Sequence, residues 1–429
     1  MRKLRKYYII LLLFLMGARL LDKEAILSPI AERVSYSDIL FLIYLICWSI
    51  YNLKQPSRPS LIYSRQQKNF FIYLFSFSFW TGMSWCVTTI FRKGYIPDFF
   101  GIPVRIAIYG IMALFVAKWV KEYGPNIFVA PFCIGILTMF YFNFFSSAMT
   151  VLRVPESIAE KNFSGVLLPT CAIYLSLSFL CRPSFWALFL LLLAVISTTL
   201  VYSLGGVVLA VLFLPVAWII VKQYFLGSGV RFFRKLVALL LIISVPLILK
   251  ANSAIQPHLG TVTTNVEQKI ENAPGISKSH TESGDERFGF FLSSIVIAYR
   301  NPIFGVGEAD WQEENDKNQD WLGVLYLESD NPHNAIAEMI SMFGIPSLFL
   351  FAAAFYFVFK ELYLLHMLKG VKWKVFVISI FLIFGGIANL MDAIFTSYFF
   401  YFFASLVFGI RARQQAIVLT DREAIKAGL

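Results

Sequence analysis

Long unbroken apolar runs, separated by short polar segments, set the pattern of this chain. They lie near 7–21, 37–53, 70–90, 101–119, 127–148, 164–181, 184–202, 205–224, 236–250, 335–359, 374–393 and 395–410. Most approach the roughly 20 residues that a helix needs to cross a hydrocarbon core about 30 Å thick. The runs are continuous, without the period-2 alternation of an outer-membrane barrel. The pattern predicts an all-α polytopic membrane protein of about 12 transmembrane helices with both termini on one side. One polar segment interrupts it, roughly 251–334, which is too long to be a mere connector. The expected organisation is therefore 1–250 with helices 1–9, 251–334 as one large external loop, 335–410 with helices 10–12, and a tail at 411–429. The first run is read as a membrane helix and not a cleaved signal, because Gly17-Ala18-Arg19 is a poor small-residue cleavage site.

The basic residues test this topology. Clusters such as Arg2, Lys3, Arg5 and Lys6, or Lys54, Arg58, Arg65 and Lys68, fall on one side together with the tail. The short loops on the other side hold only a few, among them Arg92, Lys93 and Arg153. This asymmetry puts the termini in the cytoplasm and the large loop outside. The net charge of +11 does not indicate nucleic acid, since the 37 Lys and Arg form short clusters between spans and not one basic surface. Composition agrees: 58% of the residues are apolar and only 15% charged, too few to cover the surface of a soluble enzyme of 429 residues. The five cysteines fall within or beside apolar runs, with no metal-ligand spacing, so no zinc site or disulfide network is read from them.

Candidate chemistry concentrates in the loop. Arg287 opens an apolar stretch, Phe288 to Tyr299, that Arg300 closes. This reads as an amphipathic helix on the membrane surface with an arginine at each end, and such an arginine can hold a lipid phosphate. Asn301-Pro302-Ile303-Phe304-Gly305-Val306-Gly307 follows. Pro302 ends the helix and the glycines permit a tight turn, so the segment is expected to be structural and not a phosphate loop. Residues 308–330 are strongly acidic, with Trp311, Trp321 and Tyr326 interleaved. These aromatics could stack on sugar rings or anchor the loop at headgroup level, and the sequence leaves both open. The loop ends in Asp330-Asn331-Pro332-His333-Asn334. Of four histidines, His333 is the one pinned between a proline and a membrane helix. A neutral imidazole there can take a proton from a hydroxyl near neutral pH, although a lone histidine more often only makes a structural hydrogen bond. Asp392, in or at the end of a span, and Glu338, just past His333, are acidic candidates for supporting roles.

Taken in order, Arg287, the Pro302-to-Gly307 turn, His333-Asn334 and Gly344 resemble the bacterial O-antigen ligase and O-antigen polymerase superfamily. The resemblance covers roughly residues 160–400. It implies a twelve-span inner-membrane protein with its large loop in the periplasm. It also implies a glycosyltransferase whose donor is a glycan on undecaprenyl pyrophosphate, working with inversion and without metal or cofactor. The acceptor is lipid A-core in a ligase and a second lipid-linked glycan in a polymerase. Carried over residue by residue, Arg287 holds donor phosphate, His333 is the base and Asn334 orients the imidazole or the acceptor. Asp392 matches a late acidic position. The chain departs from the family between spans 7 and 8, where Leu204 stands in place of an expected arginine. Arg105, with Arg300 as a further phosphate ligand, is a candidate to compensate, as are Arg153 and the Gly205-Gly206 amides; the alternative is a divergent member with reduced or altered activity. Two other classes of function remain open: a polysaccharide flippase or transporter, weakened by the lack of an internal repeat, and a structural partner of such enzymes.

Overall fold

The computed structural model describes residues 2–19, 27–28, 31–53, 61–91, 101–149, 168, 171, 175, 184–200, 283–322, 334–366 and 398–426. Its first part holds α1 (Arg2–Arg19), α2 (Tyr36–Leu53), α3 (Arg65–Trp85), α4 (Gly101–Tyr123) and α5 (Asn126–Met149). Then follow α6 (Phe185–Leu200), α7 (Ser283–Arg300), α8 (Glu308–Leu322), α9 (Ala335–Met342), α10 (Ile345–His366) and α11 (Tyr398–Lys426). The fold is nearly all helical. The exception among the described residues is a small antiparallel ribbon, β1 (Leu27–Ser28) with β2 (Ala31–Ser35), which hydropathy gives no reason to expect.

Local chemistry sets the helix boundaries. At the start of α3 the Ser64 hydroxyl accepts the Gln67 amide at 3.1 Å, and Gln67 Oε1 reaches back to the Tyr63 amide at 2.7 Å. This reciprocal cap satisfies donors that a first turn leaves without helical partners. The far end of α3 widens into a π-helical turn over Cys86–Phe91. Between α4 and α5 the chain turns at Gly124, whose φ of +90° suits glycine.

Contacts divide the chain into two units: Met1–Ser146 with Arg287–Leu429, and Ser147–Glu286. In the second, the described residues include α6, with Ala194 buried and Phe185 and Trp186 exposed, and buried Leu168, Cys171 and Leu175. The core of the first is a bundle in which α3 packs on α4 and α10, and α11 packs on α4. Aromatic pairs fill it, with Phe77 against Phe351 at 5.5 Å, Phe70 against Phe408 at 5.3 Å and Tyr109 against Tyr401 at 5.7 Å. Small residues let backbones approach: a Cβ at Gly409 would sit 2.7 Å from the Ala117 carbonyl oxygen, and one at Gly135 2.9 Å from the Ala18 amide. Close approach of this kind is how helices gain packing where water supplies no driving force.

Charged groups lace one end of the bundle. Arg5 pairs with Glu122 at 3.2 Å and donates to the Tyr44 hydroxyl at 3.0 Å, which Trp119 also meets at 3.0 Å. Arg413 donates to the Lys121 and Glu122 carbonyls at 3.1 and 3.2 Å, and Arg411 to that of Leu364 at 3.3 Å. These guanidiniums satisfy the last carbonyls of α4 and α10, which have no partner within their own helices. Arg5, Arg411 and Arg413, which the sequence assigns to the cytoplasmic face, lie together at this end.

Two helices among the described residues are long and apolar enough to cross a membrane, Arg65–Ile90 and Ile345–Leu365. The pair Ile106–Tyr123 and Asn126–Tyr141, bent by 119°, passes the same test when taken together. Expected spans 205–224, 236–250 and 374–393 lie outside the described residues. Where hydropathy predicts one span over 335–359, the chain instead turns at Gly344, with φ +81°, and leaves the short α9 separate from α10. A hydropathy window averages across such a turn, because both flanking segments are apolar.

Candidate functional site

The turn that follows α7 and the C-terminal end of α9 pack on the end of α3. Helix α7 forms where the amphipathic stretch predicts it, with Ile297 and Ala298 buried and Tyr299 85% exposed. It ends at Asn301-Pro302, and the following turn uses both glycines at positive φ, +67° at Gly305 and +84° at Gly307. The amides of its glycine segment, Gly305 to Gly307, are engaged. Gly305 donates to the Asn301 carbonyl at 3.0 Å, Val306 to Ser341 at 2.9 Å and Gly307 to Met342 at 3.0 Å. Ile345 donates back to Pro302 at 2.9 Å. A phosphate-binding nest needs free amides pointing at the ligand, so the turn is structural, as its sequence context suggests.

Helix α8 resolves one open point about the aromatics. Trp311 is fully buried, packs on Phe290 at 6.0 Å and donates to the Ser294 hydroxyl at 3.3 Å. It is a core residue joining α8 to α7, not an exposed platform for sugars. On the solvated side of the same helix Lys317 bridges Glu313 and Glu314 at 2.9 and 2.8 Å. Hydrogen bonds to both glutamates raise the Lys317 ammonium above its ordinary range.

The candidate residues divide clearly. Asn334 is the N-cap of α9: its Oδ1 accepts from the Ile336 and Ala337 amides at 3.0 and 3.1 Å. With Oδ1 used as the cap, Nδ2 is the group left to orient an imidazole or an acceptor. Glu338 follows one turn later. It is buried and within electrostatic reach of the buried Tyr401 phenol on α11, whose ring packs on Tyr109 of α4. Arg105 precedes Tyr109 by one turn of α4. Arg300 is exposed and donates to Asn318 Oδ1 at 3.1 Å, and Asn318 Nδ2 in turn donates to the Ser293 hydroxyl at 3.3 Å. Arg287 lies near the start of α7, thirteen residues earlier and about 20 Å away along the axis. His333, Asp392 and Leu204 lie outside the described residues, as do the side chains of Arg287 and Arg105.

Sequence reasoning gave no role to Trp80, Ser84, Tyr109 or Tyr401. Trp80 Nε1 donates to the Phe343 carbonyl at 3.0 Å, its ring stacks on Phe304 at 5.3 Å, and the Ser84 hydroxyl donates to the Phe304 carbonyl at 2.5 Å. Each lies in a span where nothing local separates it from lipid-facing or core residues.

A family model described as O-antigen ligase matches residues 186–352, from α6 into the first turns of α10. Residues 186–352 are similar to the O-antigen ligase family. The match takes in Arg287, the glycine turn, His333-Asn334 and Gly344, the positions on which the resemblance rests. It supports membership of the O-antigen ligase and polymerase superfamily, and with the apolar helices it marks an integral membrane protein. No curated protein matches the chain.

Proposed function

We propose that this O-antigen ligase homologue is an inner-membrane glycosyltransferase that moves a glycan from undecaprenyl pyrophosphate to a hydroxyl of lipid A-core on the periplasmic side. The observation that carries the reading is the O-antigen ligase match, which spans every loop motif in one continuous segment. His333 takes the proton of the acceptor hydroxyl as its oxygen attacks the anomeric carbon. The bond from that carbon to the diphosphate breaks, with inversion, and undecaprenyl pyrophosphate leaves. A base of this kind contributes about 10²–10⁴-fold. Asn334 Nδ2 orients the imidazole or the acceptor, while its Oδ1 holds the start of α9. No metal or cofactor has a role in this scheme.

Arginines spread the charge of the leaving diphosphate. Arg287 is the primary ligand. Arg300 is a further phosphate ligand at the other end of α7, where it also donates to Asn318. Arg105 is the better substitute for the arginine missing at Leu204. It stands one turn from Tyr109, which packs on Tyr401, and Tyr401 lies within electrostatic reach of Glu338, one turn from Asn334. This chain of neighbours brings α4, α9 and α11 to one region. Asp392 and Glu338 are assigned supporting roles.

A deletion strain tests the reading through its surface polysaccharide. Loss of all polymer from lipid A-core identifies a ligase; a single repeat unit left on the core identifies a polymerase that extends lipid-linked glycans. An unchanged ladder rejects both. Transport or flipping that survives His333→Ala would move the protein out of the transferase class.

A further inference from the structure

Helix α9 has eight residues, and a helix so short is marginal in isolation. Its position depends on what satisfies its ends. Asn334 caps the first turn. At the other end, carbonyls of the last turn are met from outside the helix. Met339 accepts from the Ser347 hydroxyl at 2.8 Å, Ser341 from the Val306 amide at 2.9 Å and Met342 from the Gly307 amide at 3.0 Å. Phe343 accepts from Trp80 Nε1 at 3.0 Å. The Ser84 hydroxyl lies 2.5 Å from the Phe304 carbonyl oxygen and 3.4 Å from that of Met342, so it bridges the glycine turn and the end of α9. Thr88, in the π-helical turn, leaves no room for a side chain at Gly307, where a Cβ would lie 2.7 Å from its hydroxyl.

We propose that Trp80 and Ser84 of α3 are positioning residues for the transfer reaction, locking the end of α9 whose opposite end carries His333-Asn334. Both lie more than a hundred residues before the O-antigen ligase match. The inference rests on the transferase reading above. An eight-residue helix spans about 12 Å, so a tilt at its anchored end displaces the capped end and the adjoining imidazole. A misplacement of about 1 Å can cost about 10²-fold in rate, without removing any group that touches the donor.

The test uses full-length protein with Trp80→Phe, which keeps the ring stack but removes the N–H, and Ser84→Ala. Transfer from purified undecaprenyl-pyrophosphate-linked glycan, thermal unfolding and amide exchange over residues 335–342 are measured together. The expected result is a fall in kcat of about 10–100-fold with KM for the donor within about twofold. Exchange should be faster in α9 while the unfolding temperature is unchanged. Unchanged kcat or unchanged α9 exchange in both folded variants overturns the proposal, as does a kcat loss that only tracks global unfolding. Should the wild-type protein transfer no glycan, the transferase reading fails, and the exchange measurement still decides whether α3 governs α9.

Discussion

Gly344→Ala should be among the most damaging small substitutions in the chain. The residue sits at φ +81°, where a side chain costs about 1–2 kcal/mol. Its Cβ would overlap the Ile303 carbonyl oxygen and come within 2.9 Å of the Phe304 amide. Both are backbone atoms, so relief requires the glycine turn to move away from the junction of α9 and α10. That movement strains the bonds from Val306 to Ser341, Gly307 to Met342 and Ile345 to Pro302, each worth about 1 kcal/mol net. Losing two of them on top of the backbone strain gives about 3–4 kcal/mol. Gly82→Ala is the matched control, since its Cβ would meet Pro103 Cβ at an ordinary 3.6 Å and its helical backbone carries no positive φ. That change should be neutral or stabilising by up to about 1 kcal/mol. Unfolding in mixed micelles, followed by circular dichroism, separates the two. A Gly344→Ala protein within about 0.5 kcal/mol of wild type would refute the packing described for this junction.

His333→Ala and Arg287→Ala should each lower transfer by about 10²-fold or more while insertion and unfolding temperature stay the same; retained turnover in the purified assay contradicts the site assignment. Arg411→Met leaves the buried Glu361 carboxylate, 3.7 Å from the Arg411 Nε and 1% exposed, without its cation. It should cost about 3–5 kcal/mol, with much of that recovered in the Arg411→Met/Glu361→Met double variant; equal losses in the single and double variants would show that the charge pairing is not what matters. Burial, with a smaller push from the Glu122 carboxylate, raises the Tyr63 phenol to about 12. Because this exceeds the ordinary value, the contribution is complete below about pH 10 and disappears as pH rises from about 10 to 12. Tyr63→Phe should therefore flatten the alkaline fall in stability, and an unaltered pH profile would exclude this group as its source.

How much of this was legible in the sequence depended on range. The amphipathic stretch closed by Arg300 and the breaker Pro302 are local signals, and they place α7 and its turn correctly. The glycines at 305 and 307 read as turn formers and Gly344 only as part of the family resemblance; that a Cβ at each would collide with its neighbours needs the structure. Trp311 could not be assigned: an aromatic among carboxylates reads alike on a solvated face and on a buried seam, and only the Ser294 partner decides. The break between α9 and α10 hides because apolar residues flank it on both sides. Asn334 before an apolar helix carries a capping signal, and the same residue type suits a catalytic role, so the two readings overlap there. Trp80 and Ser84 have no local signal at all, since their partners lie more than two hundred residues later.

The bracket around α9 also bears on how the O-antigen ligase segment can be handled. Its outer jaw comes from α3, far upstream of residue 186. Excised alone, residues 186–352 would keep His333-Asn334 yet lose the wall on which the end of α9 rests. Grafting experiments between homologues should therefore carry the C-terminal half of α3 along with the loop, as one inherited cassette.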